Sequence, residues 1–297
     1  MGNFLHYAGS KSRFARRLLR HRIRRQPKVC PYCGPSSPVR LVRHKKLIMD
    51  ILQCEVCRLI FRWPADSPQE HMTYYQYEYF IDAPQVVLPA PQELQALTNR
   101  GFAGSPLDLN TKIRVLKALR PSGRVLDFGC SWGYGAYQLQ KHGFQASGFE
   151  ISRPRADYAR SQLKMEVLDE IDRLRALPPA SFDIVFSNHV VEHVPAIRDT
   201  LQLMARLLVP EGLAFHVLPN FTGATARTGA WLKWIGEDHP IAPTIEFFKY
   251  AIPRSGLGSP IFASSPFDDQ PTPSFSEGPE DHTADGDELL VVARKSA

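Results

Sequence analysis

The chain has 297 residues, 43% of them hydrophobic, with 36 Lys and Arg against 30 Asp and Glu. That is enough apolar chain for one large domain plus a small module. No apolar run approaches the roughly 18 residues that a membrane span needs, and the basic N-terminus lacks the apolar stretch of a secretory signal, so a soluble, cytoplasmic protein is expected.

The net charge of +6 is unevenly spread. The first acidic residue is Asp50, and thirteen Lys and Arg precede it, leaving a mildly acidic body behind a basic head. Residues 1–28 form a basic arm. Within "KSRFARRLLRHRIRRQPK" (11–28), Phe14, Leu18, Leu19 and Ile23 fall near one helical face and arginines fill the others. Such a helix suits an anionic membrane surface, at the inner membrane face, or RNA; the alternative is a solvated arm. The Met-Gly start has His6 where a myristoylation signal needs Ser or Thr.

Residues 29–66 hold two pairs, Cys30-x-x-Cys33 and Cys54-x-x-Cys57. Without an export signal this spacing favours zinc over disulfides, and four thiolates complete a closed tetrahedral site. Gly34 permits the tight turn of the first knuckle; the second pair lacks that glycine. Between the pairs, "VRLVRHKKLIMDILQ" predicts two short strands around a polar turn, so a small structural zinc ribbon is expected.

Residues 67–110 read as a linker that becomes a helical flap. Its aromatic cluster "YYQYEYF" (Tyr74 to Phe80) packs between modules, with Tyr74 and Tyr75 as pocket candidates. From Thr111 to the C-terminus (111–297), strands and helices alternate. The strands are "GRVLDFGC", "FQASGFEI", "MEVL", "FDIVFSN", "GLAFHVLPN" and "ELLVVARK"; the helices are "KIRVLKAL", "GYGAYQLQKHG", "RPRADYARSQL", "IRDTLQLMARLL" and "PTIEFFKYAI". Apolar strands alternating with amphipathic helices predict an α/β, doubly wound sheet covered on both faces. Residues 253–287, rich in Pro, Ser and acids, break the pattern and predict a loop or a degenerate hairpin.

"VLDFGCSWGYG" follows the first strand of that alternation and opens its helix. Gly129, Gly133 and Gly135 let a ligand approach the backbone, and a helix N-terminus supplies free N–H groups. Glu150 ends the next strand, where a carboxylate can accept both hydroxyls of a ribose. A dinucleotide fingerprint would read Gly-x-Gly-x-x-Gly; here the loop reads Asp127-x-Gly129-x-x-x-Gly133. The acid is poorly placed for a pyrophosphate and better placed for the cationic S-adenosyl-L-methionine.

On these residues the segment from Thr111 onward resembles the class I S-adenosylmethionine-dependent methyltransferases, and implies their Rossmann-like sheet. "VLDFGCSWG" is similar to the glycine-rich motif, with Ser131 where many members have glycine. Glu150 in "FEIS" looks like the ribose-binding acid, and "FDIVFSNHVVEHV" looks like the segment at the methyl-transfer site. The four-cysteine ribbon followed by the aromatic flap is similar to bacterial methyltransferases with a zinc-binding N-terminal domain. Some of those act on sugars, glycan precursors or secondary metabolites. The resemblance implies Asp127, Gly129, Ser131, Gly133, Glu150, Asp169 and Asn188 as cofactor-binding residues.

"HVVEH" (189–193) matches the His-x-x-Glu-His pattern of inverted zinc peptidases. It follows a strand here, beside a glycine loop that a peptidase does not need, so it is expected to face the pocket and not a metal. Methyl transfer to a hydroxyl or acidic carbon needs a base. His189 and His193, with Glu192 orienting one of them, are the catalytic candidates; Asn220 and His239 stand further out. Cys130 is expected to pack. The expected function is therefore S-adenosylmethionine-dependent methylation of a small-molecule acceptor, such as a saccharide, lipid-linked glycan precursor or secondary metabolite. An RNA methyltransferase and a non-catalytic interaction protein are the alternatives.

Overall fold

The computed structural model describes residues 2–79, 85–222, 228–267 and 285–296. The basic arm is helix α1 (Gly2–Ile23). Of its apolar residues Leu18 is buried, whereas Leu19 and Ile23 are exposed. Charge does more than the stripe to dock it. Arg17 reaches Asp66, Glu78 and Glu237 at 3.4, 3.4 and 3.2 Å. His21 meets Glu70 at 2.8 Å, and Arg22 and Lys28 meet the buried Asp50 at 3.4 and 3.2 Å. The acid-free head thus finds its counterions on the acidic body. Arg17, Arg22 and Lys28 are engaged within the molecule.

The cysteine module has strands β1 (Val39–Lys45), β2 (Met49–Cys54) and β3 (Ile60–Trp63), joined as antiparallel neighbours. The two strands expected between the cysteine pairs are β1 and β2. A fourth strand, β9 (Ile241–Ala242), comes from the distant C-terminal half and pairs with β3. Tyr32 of the first knuckle lies edge-on to Phe247 with ring centroids 5.4 Å apart, and its hydroxyl donates to the Ala251 carbonyl at 3.1 Å. The module therefore shares one apolar core with the large domain.

The flap begins with α2 (Pro68–Thr73). Ser67 caps it: the Glu70 N–H donates to Ser67 Oγ at 3.2 Å, and Glu70 accepts from the Ser67 N–H at 2.9 Å. The helix widens into a π-helical turn, Tyr74–Glu78, which buries Tyr74 and Tyr75. After residues 80–84, which lie outside the described residues, α3 (Pro91–Asn99) and α4 (Asn110–Leu119) lead into the large sheet.

In chain order come β4 (Arg124–Phe128), α5 (Tyr134–Lys141), β5 (Gln145–Phe149), α6 (Arg153–Gln162), β6 (Val167–Leu168), α7 (Ile171–Ala176), β7 (Phe182–Asn188), α8 (Ile197–Leu207) and β8 (Leu208–Pro219). Beyond β9 lie α9 (Ile245–Arg254), β10 (Ile261–Ser264) and β11 (Glu288–Arg294). The sheet order is β10-β11-β8-β7-β4-β5-β6. Strands β4 to β8 run parallel, while β11 and β10 add antiparallel at one edge. The sheet is thus mixed. Its central strands are mostly apolar because helices cover both faces: β7 buries Ile184, Val185 and Phe186, and Phe186 stacks on Phe215 of β8 with centroids 5.6 Å apart. Each such side chain contributes roughly 1.5–3 kcal/mol on burial.

One expectation needs correction. Composition predicts no packed element in the Pro-rich segment, yet Ile261–Ser264 is a strand against β11, with Phe262 and Ala263 buried. Pro260 and Pro266 bracket five residues, of which only four form the strand, so composition hides it, and an edge strand tolerates such neighbours. Residues 268–284 of the same segment lie outside the described residues.

Candidate functional site

Strand β4 has β5 on one side and β7 on the other, so the connections diverge at its carboxyl end. That divergence opens a crevice, the usual ligand site of such sheets. A cavity of about 740 Å³ lies there, lined on the sheet side by Phe128, Gly129, Ser131, Phe149, Glu150 and Asn188. Val29, Pro31, Pro68, His71, Met72 and Tyr75 close it from the N-terminal side.

The glycine loop needs its glycines for close packing. Gly129 has φ +80, and a Cβ there would stand 2.5 Å from Val190 of the "HVVEH" segment. Gly133 has φ +87, and its Cβ would meet that of Ala159 on α6 at 2.8 Å. Ser131, the residue that replaces a glycine, adopts φ +49, in the left-handed region where side chains are strained. Its N–H donates to Glu150 Oε2 at 3.0 Å, and its hydroxyl donates to the Gln85 carbonyl of the flap.

Glu150 is the hub of the cofactor side. Its Oε1 accepts from the Ser152 N–H at 2.7 Å and pairs with Arg155 at 3.2 Å. Each carboxylate oxygen has two lone pairs, so acceptor capacity remains toward the cavity. Arg155 was not anticipated; its guanidinium also lies 5.4 Å from the centre of the Tyr79 ring.

Two of the acids expected at the cofactor do not line the cavity. Asp127 is buried beneath α5, where the Ala136 N–H donates to it; burial pushes its carboxyl up to about 7. It braces the loop from behind. Asp169 pairs with Arg160 at 3.0 Å at the end of β6. Gly133 likewise faces α6 and not the cavity.

The structure brings "HVVEH" to the mouth of β7 as a 3-10 turn, Val191–His193, and not as a long helix. His189, at φ +55, donates from Nε2 to Glu288 Oε1 at 2.6 Å and lies 3.5 Å from Glu192. Burial would pull this imidazole down, but Glu192 and Glu288 outweigh it and raise it to about 9. Lys112 joins the same group, donating to Glu288 at 2.7 Å and to the Asn188 side-chain oxygen at 2.8 Å. His193 is its opposite: burial holds it down at about 4, and its Nδ1 lies 2.7 Å from the Asp238 carbonyl oxygen. Glu192 is fully buried. Sequence alone missed Lys112, Glu288 and Asp238, which converge from remote segments without a motif.

Of the outer candidates, Tyr75 lines the cavity and its hydroxyl lies 2.8 Å from His193 Nδ1. Tyr74 donates to the Asp238 carboxylate from a buried position behind it. His239 lies against His193, with ring centroids 4.6 Å apart. Asn220 is away from the cavity: it donates to the Gly286 carbonyl at 2.8 Å and accepts from the Thr222 N–H at 3.0 Å. Cys130 packs as expected, under Gly148, where an added Cβ would meet its sulfur at 2.4 Å.

In the small module, the four cysteine sulfurs lie within 4.8 Å of one another. Cys30 and Cys57 are 3.6 Å apart, too far for a disulfide and close to the ~3.8 Å edge of a tetrahedron with 2.3 Å zinc–sulfur bonds. The missing second glycine is replaced by Arg58 at φ +64, matching Gly34 at φ +86. The donor set fits a closed zinc site.

With the glycine loop, the acid at the end of β5 and the turn after β7 around one cavity, the comparison with known proteins is direct: residues 107–252 match the family model described as a methyltransferase domain. The matched segment, just under half of the chain, is similar to a methyltransferase domain. Solved S-adenosylmethionine-dependent methyltransferases from Thermotoga maritima and Archaeoglobus fulgidus share its fold. Each has a TM-score of 0.50 and 18% identity over 69% of this chain, covering 96% and 100% of theirs. An S-adenosyl-L-methionine-dependent Diels–Alderase from Talaromyces variabilis is 27% identical over 47% of this chain and 53% of its own. A ubiquinone biosynthesis O-methyltransferase from Nitrosococcus oceani is 28% identical over 33% of this chain and 44% of its own. The chain spans about half the length of the curated relatives it matches. The matched segment begins at residue 107, beyond the cysteine module and most of the flap, yet those two supply the far wall of the cavity.

Proposed function

We propose that the protein transfers a methyl group from S-adenosylmethionine to a small-molecule acceptor enclosed between the methyltransferase domain and the N-terminal module. The observation that carries this is the single cavity: its inner wall is the glycine loop and Glu150, and its outer wall is Tyr75, Met72 and the cysteine module. The cofactor fits the inner half. Glu150 Oε2 retains one lone pair for a ribose hydroxyl, while Phe128, Phe149, Ile151 and Ile171 offer apolar surface for an adenine ring. When bound, S-adenosylmethionine supplies an electrophilic methyl group.

The chain's own part is positioning and proton handling. Flap and module exclude water from the outer half, and a fixed acceptor there replaces a bimolecular encounter by an aligned one. His193 is the candidate proton acceptor, since its Nδ1–H is committed to Asp238 and its Nε2 is left with a lone pair. His189 completes that wall, with Glu192 buried behind it; His189, paired with Glu288, holds a carboxylate and does not accept a proton. Zinc at Cys30, Cys33, Cys54 and Cys57 has a structural role, fixing the module that forms the outer wall. The apolar outer lining favours an acceptor with an apolar face carrying a hydroxyl, in keeping with the O-methyltransferase relatives. The saccharide expectation rests on family resemblance alone.

Calorimetry with S-adenosylhomocysteine, then label transfer from methyl-labelled S-adenosylmethionine to pools of phenolic and sugar acceptors, tests this reading. Binding plus transfer to the phenolic pool is expected. Folded protein that binds no S-adenosylhomocysteine would sink it.

A further inference from the structure

The turn after β7 and the segment before β9 meet behind the cavity wall, at Glu192, His193 and His239. One ligand-type atom from each lies within 4.8 Å of the other two. Hydrogen bonds fix which ring nitrogens face inward. A carbonyl oxygen only accepts, so the 2.7 Å contact between His193 Nδ1 and the Asp238 carbonyl is satisfied when Nδ1 carries the proton, the Tyr75 hydroxyl 2.8 Å from Nδ1 then being left to donate to that carbonyl at 3.4 Å. His239 Nδ1 faces the Trp234 carbonyl at 3.3 Å and carries its proton for the same reason. Both Nε2 atoms are therefore bare lone pairs. His193 Nε2 lies 3.9 Å from Glu192 Oε1.

Glu192 is the decisive residue. Its side chain is fully buried, and neither carboxylate oxygen has a hydrogen-bond partner among the described residues. The nearby cation, His189, stands 3.5 Å away and gives its other nitrogen to Glu288. The His189 cation offsets part of the cost of burying this carboxylate, but neither oxygen is hydrogen-bonded while two imidazole rings face it, an arrangement that a cation among the three would satisfy.

We propose that Glu192, His193 and His239 form a divalent transition-metal site, for which zinc is the best-matched ion. Two imidazoles and one carboxylate are an established zinc donor set that leaves a fourth position open. The Nδ1–H bonds to backbone carbonyls are the outer contacts that hold metal-binding imidazoles in place. His71 adds to this by donating from Nε2 to the His193 carbonyl at 2.9 Å. Bonds of about 2.0–2.1 Å set ligand atoms ~3.4 Å apart, so the cluster, whose ligand atoms now lie within 4.8 Å of one another, draws together around the ion. The pattern His-x-x-Glu-His thus supplies two ligands and not three. Its first histidine turns to Glu288, and the third ligand comes from the loop at His239. Of the three ligands only His193 lines the cavity, so the open position meets the acceptor when it points past that ring. If the methyl-transfer reading holds, a hydroxyl bound there would lose its proton more readily, relieving His193 of the role of base. The binding claim itself stands without that reading.

The test uses the full chain with its cysteine site zinc-loaded, in the absence of S-adenosylmethionine. Elemental analysis should give two divalent ions per chain when the metal is supplied in excess. Cobalt(II) added to chain holding one zinc should produce visible bands without the thiolate charge-transfer absorption of the cysteine site. E192Q and H239Q should each lose the second ion or bind it at least tenfold more weakly, while H189Q keeps it. A wild-type chain that takes up one ion only, all of it thiolate-bound, overturns the proposal and leaves the cluster to water. Retention of the second ion by both E192Q and H239Q overturns it equally. The wild-type stoichiometry decides even if a variant fails to fold.

Discussion

Arg17 and Glu237, 220 residues apart in the chain, lie 3.2 Å from one another, and the Glu237 side chain is 1% exposed. The N-terminal helix is therefore pinned to the same loop that carries Asp238 and His239. Burial pushes the Glu237 carboxyl up, and Lys11 and Arg17 oppose that. Arg17→Ala leaves the buried Glu237 with Lys11 as its cation and also takes a partner from Asp66 and Glu78. A loss of about 3–5 kcal/mol is expected from breaking such a pair, read as a lowered midpoint in urea denaturation. A midpoint unchanged from wild type would show that the helix is not docked through this contact.

Glu150→Ala removes the acceptor expected to meet the ribose and also frees the N–H groups of Ser131 and Ser152. Affinity for S-adenosylhomocysteine should fall by roughly 10- to 100-fold, the worth of one or two charge-assisted hydrogen bonds. Glu150→Gln keeps an acceptor oxygen and should lie between. Equal affinity in all three proteins would move the cofactor elsewhere.

Removal of zinc should be felt in the cavity. Cys57 is fully buried among the other sulfurs. Cys57→Ser, or prolonged chelation, is expected to release one ion and lower the melting temperature, because metal binding is part of the folding free energy of such a module. Cofactor affinity should weaken less than acceptor affinity, since the module lines the outer half. A chelated chain that melts like the untreated one would count against a structural ion.

Asp50 gives a pH signature. Burial pushes its carboxyl up, but His44, Lys28 and Arg22 outweigh this and hold it below the usual carboxylate range. The unfolded carboxyl has a pKa of about 3.9. A depressed folded value means stability that is fully present above that pH and is lost as pH falls through the folded value. Asp50→Asn should be less stable than wild type near neutrality, and the difference should shrink below about pH 4. Denaturation midpoints across that range check it; a constant difference would exclude Asp50 as the source.

The parallel strands and their helices could be read from the chain because each is long enough to show its period, as in "FDIVFSN" and "IRDTLQLMARLL". The cysteine knuckles were legible from spacing. What escaped was short or cooperative. Ile241–Ala242 and Ile261–Ser264 are two and four residues long and carry no period of their own. Asp127 points away from the ligand because its position is visible in a sequence and its side-chain direction is not. The partnership of His193 with Asp238 and His239 needs a loop to return across the molecule, which no local pattern records. Arg58 shows the reverse case: the backbone asks for a glycine, and the sequence supplies an arginine at φ +64.

Strand β9 makes the cysteine module inseparable from the catalytic half. Phe61 pairs with Ile241 and Ile60 with Ala242, and these residues sit in one apolar core with Phe247 and Phe248 of α9. Cutting the chain near residue 66 would not divide it at a hinge. It would strip a strand partner from Ile241 and expose the floor beneath α9, so the catalytic half has no intact boundary on that side. Calorimetric unfolding of the whole chain should then show one transition, with module and catalytic half melting together. Acquisition or loss of such a module could not proceed by simple joining or trimming, because each half completes a surface that the other leaves unfinished.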